Sequence, residues 1–371
     1  VSPEPSAVRS PADSNRLYHP PVAPERARTM TNRITLKEVA DAAGVHMSTA
    51  SRALNEETRD VVNAETVARV LKAARKLGYT PNPLARGLRT NRTMTVGMII
   101  PDIENPLFGP IIAGAEARLG ADGYSLLIAD ADLKDRGSVA KVIETLIERR
   151  TDGLILATSA RNDPTVTELA YRNVPAVLVN RTADASPLPS IVGDDHEGIG
   201  LVVQHLVDMG HTKIGHVSGP QTMSTGHGRY QAFLSWTQSL GIEVDPTAIE
   251  QAEWYRVEAG LQSATTLLER RPDITAIVCA NDLLAMGAYR AVRQRGLTVG
   301  DDIAITGYND IPLLDLMEPP LTSVRVPYRQ MGSEAAGLLI SILSSNNGAD
   351  GPVSLRLTPT LSVRGSSGPH S

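Results

Sequence analysis

The chain has 371 residues, enough for two or three globular units at about 150 residues each. It is 42% hydrophobic and 21% charged, and no apolar run approaches the roughly 18 residues that a membrane-spanning helix requires, which excludes a helical membrane protein. One cysteine, Cys279, excludes an internal disulfide and a thiolate metal cluster, and nothing at the N-terminus reads as an export signal, so a cytoplasmic protein is expected.

The formal net charge of −5 conceals a segregation. Residues 30–92 hold eleven Lys/Arg against six Asp/Glu, a balance of +5, whereas residues 93–371 carry −11. A small basic module therefore precedes a large acidic one, which suggests that an anionic polymer meets the first and a different partner the second.

Residues 1–29 contain Pro3, Pro5, Pro11, Pro20, Pro21 and Pro24 and no run able to bury a face, so a disordered extension is expected, with Met30 as the true initiator. Residues 30–80 read as a domain of three short helices. Thr35 and Glu38 form a capping box, Leu36, Val39 and Ala40 make an apolar stripe, and Gly44 ends the first helix. The second helix covers Met47 to Leu54. The third opens at Asn63, repeats Val67, Val70, Leu71, Ala74 and Leu77 at helical spacing, and stops at Gly78.

Small residues at Ala40 and Ala43, a turn at Gly44 and a plug at Val45 fit a helix-turn-helix, with an ordinary helical hairpin as the alternative. In the first reading Met47 and Ser48 reach base edges, with His46 at the helix start. Thr35, Thr49, Ser51, Arg52 and Asn55 then hold phosphates or the groove edge.

Residues 81–93 read as a hinge helix or linker. Asn82 can cap and Pro83 suits the first helical position, yet a helix of fewer than about 12 residues is marginal in water, and Gly87 costs roughly 1 kcal/mol more than alanine. Such a segment, with Ala85, Arg86, Leu88 and Arg89, could fold against DNA and wedge Leu88 into a minor-groove step; a flexible linker is the alternative.

From Thr95 onward short apolar strands alternate with amphipathic helices: Thr95–Pro101, Tyr124–Asp130, Asp152–Thr158, Pro175–Arg181, Lys213–Gly219, Ala276–Asn281 and Ile303–Tyr308. About ten strands exceed one doubly wound parallel sheet, so residues 94–365 are expected to form an α/β core of two such lobes. Polar residues just past many strand ends, among them Asp102, Asn180, Asp194, Asp282 and Asn309, would line a cleft between them. Residues 366–371 read as a disordered Ser/Gly/Pro tail.

These features resemble the lactose/galactose repressor (LacI/GalR) family of bacterial transcription regulators. The carriers are Ile34-Thr35-Leu36-Lys37-Glu38-Val39-Ala40, Ser51-Arg52-Ala53-Leu54-Asn55, Leu77-Gly78-Tyr79-Thr80-Pro81-Asn82, Val96-Gly97-Met98-Ile99-Ile100-Pro101, Asn105-Pro106-Leu107-Phe108, Ala280-Asn281-Asp282 and Gly307-Tyr308-Asn309-Asp310. The resemblance implies a homodimeric repressor on palindromic operator DNA, with hinge helices that insert one leucine each. It also implies a core resembling periplasmic sugar-binding proteins, with a small-molecule effector in the cleft. The implied effector positions are Asp102, Asn105, Phe108, Asn180, Arg181, Arg229, Trp254, Asn281 and Asn309; Trp254 fits a core position equally well.

The chain departs from the family pattern at His46, where a small capping Ser is common, and at Asn180, where many sugar-binding members have Asp. No leucine heptad follows Arg364, so a helical tetramerisation tail is not expected. No cofactor or metal is expected. A transporter's solute-binding protein would lack the basic head, and an enzyme would need a nucleophile beside a base, which the sequence does not offer.

Overall fold

The computed structural model describes residues 1, 34–80, 92–131, 136–345 and 354–369. The expected disordered extension, Met30, and the hinge residues Asn82, Ala85, Arg86, Leu88 and Arg89 lie outside the described residues. The chain divides into two compact units, Val1–Asn82 and Pro83–Ser371.

In the first unit, α1 (Leu36–Ala43) opens with the expected capping box: the Thr35 amide donates to Glu38 Oε2 at 2.6 Å and the Glu38 amide to Thr35 Oγ1 at 3.3 Å. Gly44 closes the helix at φ 62°, a left-handed conformation that side chains disfavour, and its neighbour Val45 donates its amide back to the Ala40 carbonyl. The second helix, α2 (Met47–Leu54), and the third, α3 (Ala64–Leu77), pack on α1. Their shared core is Val39, Ala40, Ala43, Ala50, Ala53, Val67, Val70 and Ala74; the four alanines on α1 and α2 let these helices approach closely.

The second unit contains two six-stranded sheets. The first is built from β1 (Thr95–Ile100), β2 (Ser125–Asp130), β3 (Gly153–Leu156), β4 (Ala176–Val179), β5 (Ser190–Gly193) and β11 (Ser354–Leu357), in the order β11-β5-β4-β3-β1-β2 and parallel throughout. The second contains β6 (Ile214–Ser218), β7 (Ile249–Gln251), β8 (Ala276–Cys279), β9 (Ala304–Asn309), β10 (Thr322–Arg325) and β12 (Thr360–Ser362), in the order β12-β10-β9-β8-β6-β7. Among the described residues only the β10–β12 pair is antiparallel.

The intervening helices are α4 (Phe108–Ala121), α5 (Arg136–Glu148), α6 (Pro164–Tyr171), α7 (Asp195–Asp208), α8 (Ser224–Ser239), α9 (Val257–Arg270), α10 (Asp282–Gln294) and α11 (Tyr328–Ser344). Because β11 returns to the first sheet and β12 to the second, the chain crosses between lobes after β5, after β10 and after β11. Two lobes joined by three strands of chain, with strand ends facing each other, is the expected doubly wound pair.

Helices α4 and α11 meet at glycines. A Cβ on Gly332 would sit 1.9 Å from the Ile111 carbonyl oxygen, and one on Gly114 would sit 1.9 Å from that of Arg329. Residues 92–94 are tied to the core: Asp152 accepts hydrogen bonds from the Thr93 and Met94 amides at 2.7 and 2.9 Å, and the Arg92 guanidinium donates to the Leu343 carbonyl near the end of α11.

The reading of residues 366–371 as a loose tail is corrected for residues 366–369. Ser366 is fully buried; its hydroxyl donates to the Ile305 carbonyl at 2.6 Å and accepts from the Thr322 amide at 2.8 Å. Ser367 lies 2.8 Å from His205 Nε2, and the Gly368 carbonyl lies 3.1 Å from His211 Nε2. Small hydroxyl side chains suit this role because they reach backbone groups of β9 and β10 without needing a cavity.

Candidate functional site

The first unit offers a slim helix. Ala50 and Ala53 face inward on α2, while His46, Met47, Ser48 and Arg52 are exposed, Met47 at 51% of its surface. Thr49, Ser51 and Asn55 are half-buried and Thr35 is exposed at the start of α1. His46 performs the capping that a serine would: its Nδ1 accepts the Ser48 amide at 3.3 Å. The Ser48 hydroxyl lies 2.8 Å from the same nitrogen, which ties the helix start to one expected base reader.

In the second unit the predicted ligand residues sort into three groups. Arg229, on α8 and 4% exposed, holds the centre: its Nε donates to Asp195 Oδ1 at 2.8 Å and its Nη1 to the Ala280 carbonyl at 2.7 Å, with Asn309 Oδ1 at 3.5 Å. Its guanidinium carbon lies 3.7 Å from the centroid of the Tyr308 ring, a cation–π contact. Tyr328, the first residue of α11, donates its hydroxyl to Asn309 Oδ1 at 2.7 Å. Burial opposes the Arg229 charge, but Asp195 and the surrounding tyrosines outweigh it and hold the group more firmly protonated than usual.

Arg181 and Trp254 form the second group and line a cavity of about 1240 Å³ with Thr158, Ser159, Gln221 and Glu253. Trp254 is half-buried there rather than in the core. Asn180 is strained at φ 65° and lines a smaller neighbouring pocket of about 360 Å³.

The third group is engaged in local structure. Asp102 accepts the Glu104 amide at 3.0 Å, Asn105 the Leu107 amide at 3.1 Å, and Asn281 the Leu284 amide at 2.9 Å as the cap of α10. Phe108 is 1% exposed and packs in the apolar core.

Sequence reasoning missed Asp195, Tyr308 and Tyr328 as members of the Arg229 cluster, and Thr158 and Ser159 in the cavity wall. The last two stand just past β3, where the rule that selected Asn180 would have found them; nothing in the sequence marks Tyr328.

Asp282 sits beneath this site, fully buried, accepting the Ser323 hydroxyl at 2.5 Å and the Ile311 amide at 3.0 Å. Burial pushes its pKa up to about 7, against the pull of those bonds. A carboxyl raised this far stabilises the fold fully below its unfolded pKa near 3.8, and the contribution is lost as pH rises through about 7. The melting temperature of the native chain minus that of Asp282→Asn should therefore decline between pH 4 and pH 7 and level off above it. A flat difference over that window would exclude the titration.

Cys279, in β8, is fully buried, and burial raises its thiol pKa, so it is unsuited as a nucleophile. Among the described residues no helix is long and apolar enough to cross a membrane, and no group of three His, Cys, Asp or Glu could hold a metal.

Residues 35–82 match the family of bacterial regulatory proteins, lacI family, and residues 203–367 match the periplasmic binding protein-like domain. The HTH-type transcriptional repressor CytR of Escherichia coli (strain K12) is 33% identical over 343 residues, spanning 92% of this chain and 98% of its own. The chain belongs to the LacI family. It is a transcriptional repressor with a helix-turn-helix head, not an enzyme. The ribose operon repressor of Bacillus subtilis (strain 168) is 32% identical over 324 residues, 87% of this chain and 96% of that one. Among solved structures, the Lac repressor dimer bound to operator and the anti-inducer ONPF aligns with TM-score 0.81 at 27% identity, over 91% of this LacI-family chain and 99% of that one. The complex of the regulator CelR with cellobiose aligns at 0.69 with 30% identity, over 90% and 100% of the two chains.

Proposed function

We propose that this chain acts in the cytoplasm as a homodimer that binds a palindromic operator and is controlled by a small polar metabolite, a sugar or nucleoside, in the cleft between the core lobes. The observation that carries the DNA reading is α2 itself: its inner face is alanine, and its outer face presents Met47, Ser48 and Arg52 to solvent. Met47 and Ser48 would meet base edges with His46, while Thr35, Thr49, Ser51, Arg52 and Asn55 would hold phosphates. Asn82, Ala85, Arg86, Leu88 and Arg89 would contact the central minor groove. Relatives described as an operator-bound dimer, a ribose operon repressor and a cellobiose complex support the same assembly and ligand class.

Control requires a link from cleft to linker, and α11 supplies one within the core. Its first residue bonds Asn309 in the Arg229 cluster, and near its last turn the Leu343 carbonyl receives Arg92. An effector that shifts Asn309 bears on the helix that holds the linker's root. A few kcal/mol of coupling suffices to empty an operator.

Gel shift on the promoter beside the chain's own gene, with and without candidate metabolites, tests this function; no shift with that promoter at low salt would count against it. Operator affinity should fall about 10³-fold between 50 and 200 mM salt if six or more phosphates are neutralised. Leu88→Ala should lose operator affinity while keeping effector affinity in calorimetry. Equal operator binding by this variant would remove the minor-groove wedge from the account.

A further inference from the structure

Arg181 is the anomaly of the cleft. It is 6% exposed, follows β4 at the mouth of the large cavity, and its Nε and Nη1 have no hydrogen-bond partner among the described residues. Buried guanidinium nitrogens are ordinarily satisfied, because a charge taken from water without a counter-ion is strongly unfavourable. Burial, only partly offset by Tyr255 and reinforced by the like charge of Arg229, draws its pKa down to about 10. The two guanidiniums differ in one respect: Arg229 has Asp195, whereas Arg181 has no carboxylate among the described residues.

The acids at the cavity wall are committed elsewhere or solvated. Asp163 caps α6, accepting the Thr165 amide at 3.0 Å, Glu168 pairs with Arg172, and Glu253 is exposed. Resting on the reading of this cleft as the effector site, we propose that the effector carries an anionic oxygen group, a carboxylate or a phosphate, seated on Arg181. A neutral sugar supplies acceptors for the two N–H groups but no countercharge; an anion supplies both. Thr158 and Ser159, buried in the same wall, offer hydroxyls to the remaining oxygens.

Thermal shift on the full chain tests this with two matched series: ribose, ribonate and ribose 5-phosphate, and glucose, gluconate and glucose 6-phosphate. The expected result is a rise of at least about 2 °C with an anionic member and none with its neutral counterpart. The carboxylate and phosphate arms distinguish the two sources of charge. Arg181→Met should abolish the rise and Arg181→Lys should retain it, with Arg181→Gln replacing the methionine variant if that one fails to fold.

An equal rise with a neutral sugar, a rise that survives the loss of the charge, or no rise with any anionic probe would each overturn the assignment. Operator binding is read separately by gel shift. A chain that binds its operator and releases it with a neutral sugar loses the anion but not the repressor function; one that binds the anion and no operator shows the reverse.

Discussion

Gly332→Ala should destabilise the core by about 3 kcal/mol, at the upper end of what overpacking costs, and lower the urea midpoint accordingly. The new Cβ would lie 1.9 Å from the Ile111 carbonyl oxygen, an obstacle of backbone rather than of a movable side chain, so α4 and α11 must separate along their contact. Gly120→Ala, on the same α4, provides the contrast: its nearest neighbour is the tip of Glu116 at 3.9 Å, and the substitution should stabilise by up to about 1 kcal/mol through helix propensity. Equal midpoints for the two variants would show that the close approach is not a constraint.

Arg229→Met should cost about 3 kcal/mol and abolish effector binding. It leaves the Asp195 carboxylate, 21% exposed, beside an apolar side chain, and strips the Ala280 carbonyl of its donor and the Tyr308 ring of its cation. Removing one partner of a buried pair typically costs about 3–5 kcal/mol, and the lower figure applies because Asp195 retains some contact with water. Adding Asp195→Asn to this variant should recover at least half of the lost stability, since the residual charge is the main source of the cost. A double variant no more stable than Arg229→Met would place the cost in the other contacts.

Much of the architecture is legible in the sequence because periodicity and capping carry it. Thr35 with Glu38, Gly44, Asn63 and Gly78 mark helix boundaries that the structure reproduces, since each satisfies backbone groups through its own local chemistry. The strands β1, β2, β3, β4, β6, β8 and β9 fall within or beside the predicted segments. The strands left unread are β5, β7, β10, β11 and β12: β5 and β7 are short and partly exposed, β11 and β12 lie largely open at sheet edges, and β10, though buried over Thr322–Val324, carries two hydroxyl residues that interrupt any apolar run.

The candidate cleft was legible by the strand-end rule at Asn180, Asn281 and Asn309, but that rule marks position and not occupation. Asn281 spends its oxygen on a helix cap, and Arg229 is already matched by Asp195, a partner 34 residues away that no local pattern announces. The polar tail escaped for a related reason: Ser366 and Ser367 are ordered by strands far from them in sequence, while their composition alone describes a loose end.

The geometry of α11 has a mechanical consequence. Tyr328 is fixed at one end and Leu343 near the other, while Gly332 bears on α4 only four residues in, so the helix has a short arm and a long arm about the contact. The long arm, from Gly332 to Leu343, measures about 16 Å at a rise of about 1.5 Å per residue. A rocking of about 5° about that bearing would carry the Leu343 carbonyl about 1.5 Å, which is enough to stretch a hydrogen bond beyond its useful range. The near end would move by less than half as much, so any such rocking would be larger at residue 343 than at the cleft.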